Sequence, residues 1–221
     1  NGFCLLNNIA IAIEAAQAEG LAERIAVLDW DVHHGNGTEA IYYERADVLT
    51  LSIHQERNYP RDTGDFADRG DGPGAGLNLN IPLPPGAGHA TYMAAMERLA
   101  LPAIRAFAPD AIVVACGFGA SGGGPLSRML AGSDTLRAMT RAVMALSREV
   151  CGGRLLLVHE GGYSELHVPF CGHAVLEERS GSASTAQDPL AERIAAQQPG
   201  PRFEAFCAGL IDEMAEAAGL N

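Results

Sequence analysis

The sequence lacks three features: an apolar run long enough to span a membrane, a closely spaced cysteine pair, and an excess of basic residues. Its 15 Lys and Arg residues against 27 Asp and Glu residues give a formal net charge of −12. An acidic chain is poorly suited to bind nucleic-acid phosphates or anionic membrane surfaces, so we expect neither as a partner. A membrane-spanning helix needs about 20 consecutive apolar residues, and the sequence has no such stretch.

The cysteines are odd in number and widely scattered, which argues against a disulfide scaffold. They are Cys4, Cys116, Cys151, Cys171 and Cys207. We therefore expect free thiols and a cytoplasmic location. The chain begins at Asn1 without a methionine, and its first residues, "NGFCLLNN", are typical of the middle of a domain. We expect that an N-terminal part of a longer domain precedes them.

Short apolar runs alternate with helical patterns along the whole chain. The predicted strands cover residues 24–30, 47–54, 77–83, 110–116 and 154–160. The predicted helices cover residues 5–19, 38–45, 89–107, 133–149, 164–179 and 203–218. This alternation predicts an α/β fold with a parallel sheet and helices on both faces. We expect one domain over residues 1–221, with a polar linker at 181–190 before the closing helical region.

The stretch "VLDWDVHHGNGT" carries acidic and imidazole side chains at the predicted end of a buried strand. Asp29, Asp31 and His33 share one strand face, because successive residues of a strand point to opposite sides. Buried charge is costly unless a cation or hydrogen bonds offset it. Asp31 and His33 have residue types and spacing that suit zinc, and Asp29 suits a second cation or the orientation of a histidine. Polar side chains exposed at a strand end, or an Asp that caps the next helix, would explain the same pair without metal.

A second stretch, "HEGGY", places Tyr163 after two glycines at the end of another predicted strand. Sites in parallel α/β sheets lie at the carboxyl ends of strands. A phenol at such an end is suited to donate a hydrogen bond to a developing oxyanion. The alternative is a packed tyrosine ring whose hydroxyl is satisfied within the protein.

Several motifs occur in a characteristic order: "NGFCLLNNIAIA", "VLDWDVHHGNGT", "LSIHQ", "NYP", "GAGLNLNIPLPPG", "CGFGASGGGPL" and "VHEGGYSELHVPFCG". Together they resemble the zinc-dependent histone deacetylase superfamily, in its class II and bacterial amidohydrolase branch, which includes the acetylpolyamine amidohydrolases. The resemblance extends from Asn1 to about Gly181. It implies the arginase/deacetylase α/β fold and zinc-dependent hydrolysis of acyl-amides, with acetyl-lysine or a small acylated amine such as an acetylpolyamine as substrate.

The resemblance also implies catalytic roles for five residues. Asp31 and His33 match two of three zinc ligands, and Tyr163 matches the tyrosine that polarises the amide carbonyl. Asp29 and Asn36 match the residues that orient a catalytic pair of histidines.

Further residues match the substrate channel and a structural ion site. Phe3 and Tyr59 correspond to the aromatic walls of the channel, and Gly161 and Gly162 are expected to contact substrate. The implied ligands of a structural potassium ion are Asp29, Asp31 and Ser52.

The chain departs from the family pattern in two ways. Gly119 stands where the family has its third zinc ligand, an aspartate, and Gly124 replaces a second aspartate nearby. The family's histidine pair precedes the motif at which this chain begins. We therefore expect weak or absent zinc and impaired activity. The alternatives are an inactive module that binds acylated amines, or a non-functional truncated remnant.

Overall fold

The computed structural model describes residues 4–220, which form a parallel sheet with helices on both faces. The strand order is β3-β2-β1-β4-β5. The strands are β1 (Ile25–Asp29), β2 (Val48–Gln55), β3 (Asn78–Leu83), β4 (Ala111–Cys116) and β5 (Leu155–His159). Each predicted strand is confirmed to within one residue at either end.

The helices follow the strands in the expected alternation. They are α1 (Asn8–Ala18), α2 (Asn36–Tyr42), α3 (His89–Ala95), α4 (Leu101–Phe107), α5 (Ser133–Cys151), α6 (Val168–Ser180), α7 (Ala191–Ala196) and α8 (Pro201–Ala218). The short helix α7 was not predicted. Within residues 4–220, no helix has both the length and the apolar character needed to cross a bilayer.

The predicted helix at 89–107 is interrupted by a π-helical segment, Met96–Ala100, between α3 and α4. At its end, Leu101 donates its backbone N–H to Met96 O, five residues earlier. Pro102 follows directly and has no N–H to contribute to the regular ladder of hydrogen bonds. Such bulges are a common way for a helix to accommodate a local break in that ladder.

The two faces of the sheet are packed differently. Ala26 and Leu28 of β1 belong to the larger core, which side chains of α3, α4, α5, α6 and α8 complete. Ile25 and Val27 point to the opposite face, where they pack in a smaller cluster with α1 and Tyr42 of α2. Since residues alternate along a strand, Asp29 leaves the sheet on the α1/α2 side.

The α1/α2 side becomes polar over β2 and β3. Thr50, Ser52 and His54 of β2 are buried there, beside Asn78 and Asn80 of β3. The parallel register pairs Thr50 with Asn78 and Ser52 with Asn80, which brings these polar side chains into adjacent rows. Buried polar groups need hydrogen-bond partners, so this patch has to be satisfied by neighbouring side chains and loops.

The two edges of the sheet differ. The edge strand β3 contains Pro82, whereas β5 at the other edge contains no proline. Leu156 in β5 is 50% exposed, although the central strands β1 and β4 are almost entirely buried. Within the described part of the chain, β5 pairs with β4 alone.

Candidate functional site

The loops that follow β1, β4 and β5 meet at the carboxyl edge of the sheet. Gly119, after β4, donates its backbone N–H to Asp31 Oδ1 over 3.3 Å. A Cβ atom placed on Gly161, after β5, would lie 3.4 Å from Asp31 Oδ1 and 3.5 Å from the Tyr163 hydroxyl. The structure thus brings Asp31, Gly119 and the Tyr163 loop together, as expected for strands that all point the same way.

Asp31 and His33 contact each other directly. His33 Nδ1 lies 3.2 Å from Asp31 Oδ2, and the backbone N–H of His33 donates to the same oxygen over 3.3 Å. Asp31 is buried, at 8% exposure, and His33 is partly exposed. The pair therefore places one carboxylate and one imidazole just after the carboxyl end of β1. Both groups are zinc-ligand types.

A third zinc donor is missing from this arrangement. A Cβ atom on Gly119 would lie 3.0 Å from Asp31 Oδ1, so position 119 is next to the pair, but glycine offers no side chain. Among residues 4–220, no three His, Cys, Asp or Glu side chains form a group that could hold a metal ion. Catalytic zinc sites have three protein ligands and an open position. The described residues do not complete such a site.

Asp29 lies behind this pair on the same face. Its Oδ1 accepts the backbone N–H of Asp31 over 2.9 Å, and burial together with the Asp31 charge raises the pKa of Asp29 well above its usual value. Ser52, paired with Asp29 across β1 and β2, accepts the N–H of Gly35 over 3.2 Å. A Cβ atom on Gly35 would lie 2.6 Å from Asp29 Oδ2, so only glycine lets the chain turn this close. Asn36 follows as the first residue of α2.

Two of the predicted aromatic side chains, Tyr59 and Tyr163, are partly exposed near the pair of Asp31 and His33. Tyr59 is 48% exposed and meets the His33 ring edge-on, with 6.0 Å between ring centroids. Tyr163 is 43% exposed, and burial together with the Asp31 charge raises the pKa of its phenol. The phenol therefore stays protonated at neutral pH and is able to donate a hydrogen bond. Phe3, the second predicted channel wall, lies outside the described residues.

The two glycines before Tyr163 shape the backbone of its loop. Gly161 O accepts the N–H of Phe118 over 2.7 Å, which connects the loop after β5 to the loop after β4. Gly162 has φ +156°, and a Cβ atom there would lie 3.2 Å from Phe118 Cβ. These contacts hold the Tyr163 loop against the Gly119 loop.

One polar cluster near the site was not predicted. Glu39 of α2 accepts hydrogen bonds from His34, Asn78 and Asn80. Although burial opposes ionisation, the hydrogen bonds from His34 and Asn80 keep the pKa of Glu39 below its usual value. The polar character of the "LNLN" stretch in β3 is the only sequence signal for this cluster, and it does not name the partner.

A second buried polar cluster is centred on His167. This residue is fully buried. Its Nε2 lies 3.1 Å from Asp188 Oδ2, which also accepts the Ser133 hydroxyl over 2.6 Å. Asp188 belongs to the stretch 181–190, which contains neither helix nor strand. That stretch is therefore anchored near its end to the starts of α5 and α6.

Comparison with known proteins is consistent across sequence and structure. The sequence matches the histone deacetylase domain family over residues 1–179. It is 53% identical over 219 residues to a histone deacetylase-like amidohydrolase of Pseudomonas aeruginosa, covering 99% of this chain and 58% of that protein. It is 38% identical over 181 residues to a probable deacetylase of Archaeoglobus fulgidus, covering 81% of this chain and 50% of that protein.

A solved structure of a similar enzyme also superposes on this chain. The acetylpolyamine aminohydrolase of Burkholderia pseudomallei superposes with a TM-score of 0.73 at 36% identity, over 80% of this chain and 50% of that one. The chain thus spans between half and three fifths of the length of these relatives. The chain belongs to the histone deacetylase family, and the predicted deacetylase-like parallel α/β fold is confirmed.

Proposed function

We propose that the site at the carboxyl edge of the sheet takes an acylated amine, either acetyl-lysine or a small acylpolyamine, and that hydrolysis by this chain is impaired. Family membership supports the reaction class, since deacetylases and amidohydrolases cleave acyl-amides. The observation that supports impaired hydrolysis is the glycine at position 119. It stands within reach of the pair of Asp31 and His33, where a third donor would be needed, and it has no side chain.

In this proposal, the chain's own residues bind and orient the amide. Tyr59 forms one wall of the entrance next to His33. Tyr163, whose phenol remains protonated, donates a hydrogen bond to the amide carbonyl oxygen. Gly161 and Gly162 allow the substrate to approach the backbone closely. Such donors stabilise an oxyanion when they are held in place before the reaction.

Metal ions are a second part of the proposal. Asp31 and His33 are the proposed zinc ligands, and with only two protein donors they bind zinc weakly. Asp29, Asp31 and Ser52 are the proposed potassium ligands. Burial and the Asp31 charge raise the pKa of Asp29, and a cation bound here would offset the two neighbouring carboxylates.

A second candidate function is a binding module without catalysis. It is favoured by the combination of an entrance with Tyr59 and Tyr163 in place and a donor set that is incomplete at Gly119. In that case the chain recognises acylated amines and releases them unchanged. Binding without turnover distinguishes this candidate from a hydrolase with low activity.

The test uses purified chain with an acetyl-lysine peptide and an acetylated polyamine, each with added zinc and with a chelator. We expect no chelator-sensitive turnover, but measurable binding of at least one compound by calorimetry. Tyr59→Ala should weaken that binding, whereas Tyr43→Ala, which changes a tyrosine outside the site, should not. Chelator-sensitive turnover would overturn the proposed impairment. Failure of both compounds to bind would overturn the acylated-amine site.

A further inference from the structure

Three side-chain donors converge on one carboxylate oxygen of Glu39. Glu39 Oε2 accepts from Asn78 Nδ2 over 2.7 Å and from Asn80 Nδ2 over 2.7 Å, and it lies 3.1 Å from His34 Nε2. An ionised carboxylate only accepts, so we infer that Nε2 of His34 carries a hydrogen and donates it to Glu39. Hydrogen bonds to a charged group are stronger than neutral ones.

The two asparagines divide their amide hydrogens between Glu39 and one loop. Asn78 Nδ2 also donates to Asp68 O over 2.7 Å, and Asn80 Nδ2 also donates to Asp65 O over 3.2 Å. Each NH₂ group has two hydrogens, so one goes to the carboxylate and the other to a loop carbonyl. Because Glu39 fixes the direction of one hydrogen on each amide, it also fixes the direction of the other.

The imidazole of His34 connects Glu39 to an earlier part of the same loop. Its Nδ1 lies 3.0 Å from Thr63 Oγ1, and Thr63 Oγ1 donates to Pro60 O over 2.9 Å. The backbone N–H of His34 donates to Tyr59 O over 3.2 Å. The segment around Tyr59 is therefore attached to a ring whose orientation depends on Glu39.

We propose that Glu39 is a positioning residue that holds the segment 56–68, the entrance loop, in the conformation that places Tyr59 beside His33. The positioning of the loop stands on the contacts above. Its importance for ligand binding rests on the proposed function, in which Tyr59 forms a wall of the entrance.

Two substitutions of Glu39 distinguish a positioning role from a purely structural role in α2. All three donors end on the same oxygen, so Glu39→Gln retains an acceptor at that point when its amide oxygen occupies it. Glu39→Leu has similar size but leaves the buried donors of His34, Asn78 and Asn80 without an acceptor. Unsatisfied buried donors are more destabilising than the loss of a satisfied pair. Positioning therefore predicts rescue by Gln and local loosening by Leu.

Hydrogen exchange monitored by mass spectrometry tests the positioning directly. We expect Glu39→Leu to accelerate exchange in peptides of the entrance loop by about tenfold or more, while peptides of α5 stay unchanged. Glu39→Gln should remain within about threefold of wild type. The control is Glu44→Leu, which removes an exposed carboxylate just beyond α2 and should change neither region. Unchanged loop exchange in Glu39→Leu, or equal acceleration in the loop and in α5, would overturn the proposal.

Ligand binding gives a second test, because a purely structural role of Glu39 does not predict coupling between Glu39 and Tyr59. We expect Glu39→Leu and Tyr59→Ala each to weaken binding of the acetyl-lysine peptide, and the double variant to be no weaker than Tyr59→Ala alone. Such non-additivity is the signature of residues that act through one another. Additive losses of binding affinity would show that Glu39 acts independently of Tyr59. They would overturn the proposal that Glu39 affects ligand binding through Tyr59. If the wild-type chain binds no acylated amine, the proposed function fails, and the exchange experiment still decides the role of Glu39.

Discussion

Replacing Gly119 with aspartate adds a carboxylate at the position where the family resemblance implies a zinc ligand and this chain has no side chain. Gly119 is buried, and its φ lies outside the left-handed region, so the backbone accepts a side chain without torsional strain. Its Cβ would lie 3.0 Å from Asp31 Oδ1, so the new side chain would begin next to Asp31. We expect the substitution to create the missing third ligand.

Without metal, the same substitution should destabilise the fold. The new Cβ would lie 2.7 Å from Val32 Cγ1, and Val32 is fully buried, so the side chain has to shift. Overpacking of this kind costs about 1–3 kcal/mol. A second carboxylate close to Asp31 adds repulsion in the metal-free state. We therefore expect the free energy of unfolding in urea to fall by about 1–3 kcal/mol when zinc is removed.

Zinc should reverse this loss. Loss of a group that only orients a ligand lowers metal affinity by about 10–100-fold, so a gained ligand should raise zinc affinity by about 100-fold or more. At a free zinc concentration about 100 times the dissociation constant, binding stabilises the folded state by about 2.7 kcal/mol, which is similar to the steric cost. The zinc-loaded variant should then be about as stable as the wild-type chain.

Competition with a colorimetric zinc chelator measures the affinity, and urea unfolding with and without zinc measures the coupling. Gly119→Asn is the matched control, because it has the same shape and the same contact with Val32 but a neutral amide in place of the carboxylate. We expect Asn to produce the stability loss without the gain in affinity. Equal zinc affinity of wild type, Asn and Asp variants would mean that position 119 is not the third ligand position.

Two further changes test the buried polar groups. Burial and the neighbouring His34 charge lower the pKa of His54 to about 4, against about 6.5 in the unfolded state, so only the unfolded state gains a proton between these values. Stability should therefore fall by roughly 2–3 kcal/mol from pH 7 to pH 4.5, and urea unfolding of His54→Gln should lack that part of the decrease. Asp188→Ala leaves buried His167 without an acceptor for Nε2, and it should lower the free energy of unfolding by about 2–4 kcal/mol. A loss below about 0.5 kcal/mol, the range of ordinary surface substitutions, would contradict this.

The strands and the meeting of their loops were predictable from the sequence because both follow from local patterns. An apolar run such as Ala111–Cys116 has the length of a strand, and parallel strands bring their carboxyl ends to one edge. The positions of Asp31, Gly119 and Tyr163 at that edge therefore follow once the strands are assigned. The π-helical segment Met96–Ala100 was harder to predict, because the apolar periodicity continues through it. Only Pro102 indicates that the helix is irregular there.

The polar clusters could not be predicted, because their partners are distant in the sequence. Glu39 and Asn78 are 39 residues apart, and they meet only because α2 lies over the polar side of β2 and β3. The burial of His167 likewise has no local signal in the sequence. Its burial depends on Asp188, which lies in a polar stretch that looks like an unattached linker. Long-range pairing of this kind is set by tertiary packing rather than by local propensity.

Within residues 4–220, the two edges of the sheet differ in their capacity to pair with a further strand. A strand edge without proline and with a half-exposed leucine such as Leu156 is open to addition of a further strand, whereas Pro82 blocks one position on the other edge. Polar substitutions in β5 should therefore change how this edge pairs with a further strand. Equivalent substitutions in the enclosed β1 should instead lower the stability of the fold.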